Sequence, residues 1–214
     1  MTSIVLAGGK SSRLGWNKAL ETINGKSLVQ WIVDRLSSLS TEIIIVIARG
    51  DLEFRISNSE FLKSATSRAK VVVDIYPDKG PLGGIYTGLV ESSCFQAIAV
   101  ACDMPFLSIP LLDYMAQLSP VFDIVAPRIE DKVEPLCAIY SKNCLAPIHS
   151  LLKRNELRIN ELFNVARVKY IEEAEISRFD PEHLSFFNIN TQADLDEARK
   201  LAIEKRELFL YKAS

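Results

Sequence analysis

The chain has 214 residues, 48% hydrophobic and 24% charged, a size and balance suited to one α/β domain with a sizeable core. Its 25 Lys and Arg against 27 Asp and Glu give a formal net charge of −2, so no broad basic field exists to hold duplex nucleic acid. The longest apolar runs, Ile43 to Ala48 and Ala97 to Cys102, fall far short of the roughly 20 residues that span a membrane, and Met1 to Ala7 lacks the basic leader of a signal peptide.

In chain order, Ser3 to Leu6 reads as a buried strand. Leu28 to Leu39 follows with apolar residues at helical spacing. Glu42 to Ala48 is a β-branched strand, and Asn58 to Thr66 a weaker helix. Val71 to Val73 is a strand ending at Asp74. Gly83 to Glu91 reads as a helix, Ala97 to Ala101 as a strand, Ile109 to Leu118 as a helix and Phe122 to Ala126 as a strand. Beyond Pro127 come a strand at Leu136 to Tyr140, helices at Asn143 to Leu152 and Ile159 to Val165, and a strand at Val168 to Ile171. Thr191 to Lys205 is the last helix, with Thr191 as N-cap and Asp194 in its first turn. Glu207 to Ser214 reads as a tail or an edge element.

This alternation implies a mostly parallel sheet with helices on both faces. In such a sheet the ligand site lies at the carboxyl ends of the strands. The four cysteines, Cys94, Cys102, Cys137 and Cys144, show no CxxC spacing and read as buried reduced thiols, consistent with a cytoplasmic protein.

Four segments carry chemistry. The first runs Leu6-Ala7-Gly8-Gly9-Lys10-Ser11-Ser12-Arg13-Leu14-Gly15, then Asn17-Lys18, directly after the first strand. Paired glycines let the backbone approach a ligand, and Lys10, Arg13 and Lys18 place three cations within nine residues. It is not a Walker A loop, which needs a glycine where Ile4 stands, mid-strand. Nor is it a dinucleotide fingerprint, since no G-x-G-x-x-G is present. The second, Ala101-Cys102-Asp103-Met104-Pro105-Phe106, puts a carboxylate at a strand end, where a hard cation such as Mg²⁺ can share it with phosphate oxygens. Asp74 is a second strand-end acid, able to accept hydrogen bonds from a base or sugar. The third, Lys79-Gly80-Pro81-Leu82-Gly83-Gly84, is a close-approach turn ahead of a helix N-terminus. The fourth, Phe186-Phe187-Asn188-Ile189-Asn190-Thr191, aims two asparagines to one side of an extended backbone. Neither His149 nor His183 has a nucleophile or metal partner by spacing.

Together these segments resemble the molybdenum cofactor guanylyltransferases. The family's LAGGxSxRMGxxK, GPLxG, CDMPF-like turn, PLxAxY strand and FxNxNTPEDL patterns correspond to Leu6–Lys18, Gly80–Gly84, Cys102–Phe106, Pro135–Tyr140 and Phe187–Leu195, over essentially the whole chain. The resemblance implies a Rossmann-like GT-A fold in a single nucleotidyltransferase domain, with a nucleotide-binding half over about 1–106 and an acceptor half over about 107–206. It implies Mg²⁺ as cofactor, and GTP and molybdopterin cofactor as partners. GMP passes to the terminal phosphate of the pterin and pyrophosphate leaves. Other cofactor-biosynthesis proteins and apo-molybdoenzymes are further partners of such an enzyme.

By position, Leu6, Ala7 and Gly8 would contact the guanine and the Gly8 and Gly9 amides would fix the nucleotide. Lys18 would meet the phosphates, Asp74 the nucleotide, and Asp103 both nucleotide and Mg²⁺. Arg13, Gly15, Gly83, Asn188 and Asn190 match positions near the phosphates or pterin, with Lys18, Arg13 and Asp103 the catalytic set. The chain departs from the family after the second strand, where Val46-Ile47-Ala48-Arg49 replaces an Asn-x-Asn-Arg, and it carries Ser27 and Leu14 in place of Pro and Met. Alternatives are a cytidylyl or sugar-1-phosphate transferase of the same superfamily, or a non-catalytic nucleotide-binding assembly subunit.

Overall fold

In a computed structural model, residues 1–8, 18–48 and 69–205 are described, Lys18 by its main chain alone. The expected helix over Asn58 to Thr66 and the tail from Glu207 lie outside these residues. The elements begin with β1 (Thr2–Leu6), the short strands β2 (Thr22–Ile23) and β3 (Lys26–Ser27), α1 (Leu28–Leu36), β4 (Glu42–Ile47) and β5 (Ala69–Val73). They continue with α2 (Gly80–Glu91), β6 (Gln96–Ala101), α3 (Ile109–Leu118), β7 (Ile124–Ile129), β8 (Lys132–Val133) and β9 (Cys137–Ser141). The last are α4 (Leu145–Lys153), α5 (Asn160–Phe163), β10 (Val168–Glu172), α6 (Glu173–Ile176) and α7 (Gln192–Glu204).

One sheet of eight strands runs β10-β7-β9-β6-β1-β4-β5, with β8 paired to β7. β1 is parallel to β4 and β6, and β5 and β10 are parallel to their neighbours. β9 enters antiparallel between β6 and β7, and β8 pairs antiparallel with β7. The fold is therefore Rossmann-like α/β with a mainly parallel sheet in three layers. α1 and α3 pack on one face through Val29, Ile32, Leu36, Leu111 and Met115. α2 and α4 pack on the other through Leu82, Ile85, Leu89, Ile148 and Leu151. Covered on both sides, β4 buries every residue from Ile43 to Ile47, which is why its sequence is continuously apolar rather than alternating.

Local chemistry sets the helix ends. Ser27 and Gln30 form a capping box at the start of α1. The expected helix to Leu39 stops at Leu36, because the Ser37 and Ser38 hydroxyls donate to the carbonyls of Val33 and Arg35 and end the ladder. α2 starts at Gly80, earlier than expected, with Pro81 filling the first turn, where no amide is needed. The expected helix from Asn143 opens as a 3₁₀ turn and becomes α only at Leu145. Thr191 caps α7 as expected. Asp194 returns the favour by accepting the amides of Thr191 and Asn190 at 2.7 and 2.8 Å. The four cysteines are free thiols, but only Cys137 and Cys144 are buried; Cys94 and Cys102 are half-exposed.

The topology itself points to a site. From β1 the chain passes over one face to β4 and β5, then crosses the other face through α2 to reach β6 on the opposite side of β1. The strand order thus reverses between β1 and β6, and the connections that follow them lead away in opposite directions along the sheet, the switch point at which such sheets form a binding crevice.

Candidate active site

Leu6, Ala7 and Gly8 leave β1 at that crevice. The amide of Ala7 donates to Val46 at 2.9 Å, and Leu6 accepts from Cys102 at 3.1 Å, so the loop is pinned to the ends of β4 and β6 at once. A Cβ on Gly8 would stand 2.6 Å from the Ala48 nitrogen. Only glycine lets the first loop lie this close to β4. Gly9 and Arg13, with Lys10 and Gly15, fall outside the described residues. Lys18 opens a 3₁₀ turn, Lys18–Leu20, whose Ala19 is buried and which packs against α1.

Between Gly8, the end of β4, Asp74 and the first turn of α2 lies a pocket of about 470 Å³, within the range that holds a drug-sized ligand. Its walls are mostly apolar, from Leu6, Val46, Ile47 and Pro81, with Asp74 and Asp78 as the acidic groups. The first amides of α2 have no side-chain cap, which leaves a partly positive helix end on the pocket's wall.

Asp74 is held firmly. Its Oδ1 accepts the Tyr76 amide at 2.9 Å and the Thr87 hydroxyl at 2.8 Å. Thr87, fully buried on α2, also accepts from the Ile75 amide at 2.9 Å, so one hydroxyl fixes both ends of the turn. Burial raises the Asp74 pKa above the usual carboxylate range, and these two donors only partly offset it. Beneath it, a Cβ on Gly83 would stand 2.7 Å from the Tyr76 carbonyl and 3.1 Å from Asp74 Oδ2. Gly83 therefore acts by letting α2 tuck under Asp74.

Asp103 follows β6, one residue past Cys102, whose amide donates to the Leu6 carbonyl. Its carbonyl accepts the amide of Ile189 at 2.9 Å. Ile189 is buried, and Asn188 and Asn190 flank it, so the asparagine-bearing segment is tied by its main chain to the residues that follow β6. Asn188 Nδ2 donates to the Phe186 carbonyl at 3.0 Å, which fixes its carboxamide. Asp103 is thus tied by its main chain to the segment that leads into α7.

Sequence reasoning missed three residues here. Thr87 looked like filler in a glycine-rich helix. Glu134, immediately before the Pro135-Leu136 strand start, is part-buried and pairs its amide with Pro127 at 2.9 Å. Burial raises its pKa, and the charge of Asp103 adds to the rise, so two carboxylates share this end of the sheet. Arg35 is buried and donates to Leu107 in the loop after Asp103. A polar residue at a strand start and a cation on an apolar helix face were the available signals. The histidines lie elsewhere in contacts of their own. His149 stacks on Tyr86 with ring centres 5.9 Å apart, and His183 pairs with Ser177 at 3.0 Å. Among the described residues no group of three or more His, Cys, Asp and Glu is arranged to cage a metal, and no helix is long and apolar enough to cross a membrane.

Residues 3–167 match the family model of the MobA-like NTP transferase domain. A protein of Pelotomaculum thermopropionicum named probable molybdenum cofactor guanylyltransferase is 31% identical over 96% of the chain and 95% of its own length. One of Desulfosudis oleivorans named molybdenum cofactor guanylyltransferase is 32% identical over 92% and 94%. The crystal structure of molybdopterin-guanine dinucleotide biosynthesis protein A from Archaeoglobus fulgidus superposes with a TM-score of 0.79 at 25% identity, covering 95% of this chain and 100% of that one.

Proposed function

The chain belongs to the MobA-like NTP transferase family, and we propose that it transfers GMP from GTP to the terminal phosphate of molybdopterin cofactor, forming the guanine dinucleotide cofactor and pyrophosphate. The observation that carries this reading is the bond from the Ile189 amide to the Asp103 carbonyl, which ties the segment bearing Asn188 and Asn190 to the end of β6. The pocket beside Asp74 takes the nucleoside, and the asparagine side takes the acceptor.

In the reaction, an oxygen of the acceptor phosphate attacks the α-phosphorus of GTP. The bond from the α-phosphorus to the bridging oxygen breaks, and that oxygen leaves with pyrophosphate. The attacking phosphate is already ionised near neutral pH, so no general base is needed. Catalysis then rests on alignment and charge neutralisation. Leu6, Ala7 and Gly8 hold the base, with Gly9 adding a loop amide. Lys18 and Arg13 balance the charge of the leaving pyrophosphate.

Asp103 and Glu134, near enough for the charge of Asp103 to raise the Glu134 pKa, offer carboxylate oxygens at one end of the sheet. That set fits a hard cation such as Mg²⁺, which binds one or two carboxylates and completes its shell with phosphate and water. Bound at Asp103, Mg²⁺ would neutralise charge on the phosphate oxygens. Soluble substrates and reduced thiols suit the cytoplasm.

The test is pyrophosphate release from GTP, CTP and ATP, each with molybdopterin cofactor supplied. Release with GTP alone supports the reading. A CTP preference would make the chain a cytidylyltransferase, in keeping with Val46, Ile47 and Ala48 at the pocket where the family pattern has asparagines. Nucleotide binding with no release would make it an assembly subunit.

A further inference from the structure

The loop after β6 and the segment before α7 are joined by a closed ring of contacts with one buried cation in it. Arg35, on α1, is 7% exposed, and its Nε and Nη2 both donate to the Leu107 carbonyl. Burial lowers its pKa to about 10, while the charge of Asp180 works the other way, so the guanidinium stays protonated at neutral pH. Asp180, 6% exposed, accepts the amides of Leu184 at 3.1 Å and Ser185 at 2.8 Å. Ser185 Oγ accepts the amide of Ser108, the neighbour of Leu107, at 2.7 Å. The Ser108 hydroxyl donates to the Phe179 carbonyl at 2.9 Å. The ring closes where the Ile189 amide meets the Asp103 carbonyl.

We infer that Arg35 is a positioning residue: through Leu107 and Asp180 it sets the spacing between Asp103 and the Asn188–Asn190 pair, and so aligns the acceptor phosphate with the nucleotide. The inference rests on the transferase reading above. Arg35 is buried and bound to the loop. The nucleoside pocket is built by β1, β4, β5 and α2, none of which belongs to the ring. Loss of Arg35 should therefore fall on the acceptor side and spare the nucleotide side. A residue that merely held α1 to the core would lower thermal stability without that selectivity.

The experiment compares Arg35→Met and Arg35→Lys with the unaltered protein, varying GTP and molybdopterin cofactor separately. Amide exchange is followed in the segment 184–191 and in α2. A displacement near 1 Å at a reacting group costs up to about 100-fold. Arg35→Met should therefore lower kcat about 10- to 100-fold and raise the acceptor KM, with the GTP KM within about twofold. Arg35→Lys, which keeps one charged donor, should recover part of kcat. Exchange should speed up in 184–191 and stay unchanged in α2. If Arg35→Met does not fold, Asp180→Asn should give the same selective pattern. Equal changes in both KM values, unchanged exchange in 184–191, or no recovery with Arg35→Lys would overturn the inference. If the unaltered protein transfers no nucleotide to the cofactor, the transferase reading fails, and the exchange result alone decides whether Arg35 holds the ring.

Discussion

The amide of Ile189 donates to the carbonyl of Asp103 across 2.9 Å. That bond joins the end of a central strand to a segment from the far end of the chain. It ties the main chain between Asn188 and Asn190 to the strand end that carries Asp103.

Asp103→Asn should lower transfer by about 100- to 1,000-fold, the usual cost of removing one group that stabilises developing charge. The Ile189 bond uses the main chain, so the fold should persist. Pyrophosphate release and a melting curve check both halves. Full activity would remove Asp103 from the chemistry.

Thr87→Val should weaken GTP binding without touching the ligand. The substitution strands the Ile75 amide and removes a donor from Asp74, costing about 1–3 kcal/mol of stability. Because the lost hydrogen bond was holding the Asp74 pKa down, that pKa should rise further. If ionised Asp74 binds nucleotide, the pH at which GTP affinity is lost on acidification should move upward. GTP KM measured against pH for both proteins reads the shift.

Gly83→Ala and Gly25→Ala should differ in kind. At Gly83 a methyl meets the Tyr76 carbonyl at 2.7 Å and crowds Asp74, so GTP KM should rise along with about 1–3 kcal/mol of overpacking cost. At Gly25 nothing lies within 4 Å, and only the φ of +80° is strained. There the loss should be about 1 kcal/mol of stability with transfer unchanged. Steady-state kinetics with denaturant midpoints separate the two.

Glu42, at the other end of the sheet, offers a stability test. Burial alone would raise its pKa, but the Ser93 amide, the Thr2 and Ser93 hydroxyls and Lys70 bring it from 4.5 to about 2. The folded value lies below the unfolded one, so the stabilisation is full above about pH 4.5 and is lost as the pH falls toward 2. Glu42→Gln should melt lower at pH 7, and the gap should close across that acidic window.

Much of this was legible in the sequence because it is written in local chemistry. The β-branched run at Ile43–Ile47 could only be a buried strand, and Thr191 with Asp194 announced the last helix. Asp103 and Asp74 stood out because each follows a strand. The direction of β9 was not legible: Leu136 to Tyr140 is strand-like either way, and the short return through β8 decides it. The β2–β3 hairpin was missed although Asn24-Gly25 signals it, with φ of 49° and 80°. Strands of two residues carry no alternation to read. Arg35 and Thr87 escaped because their partners are distant in sequence, and no spacing rule connects them. The roles expected of Gly9, Arg13 and the Lys18 side chain lie outside what the structure describes.

The most direct measurement follows the α-phosphate of labelled GTP incubated with Mg²⁺, molybdopterin cofactor and the protein, with labelled CTP and ATP as controls. The account predicts label in a guanine dinucleotide cofactor, one pyrophosphate released per product, and no label transferred from CTP or ATP. Label transferred from CTP in preference to GTP, or GTP bound with no label reaching the pterin, would contradict it.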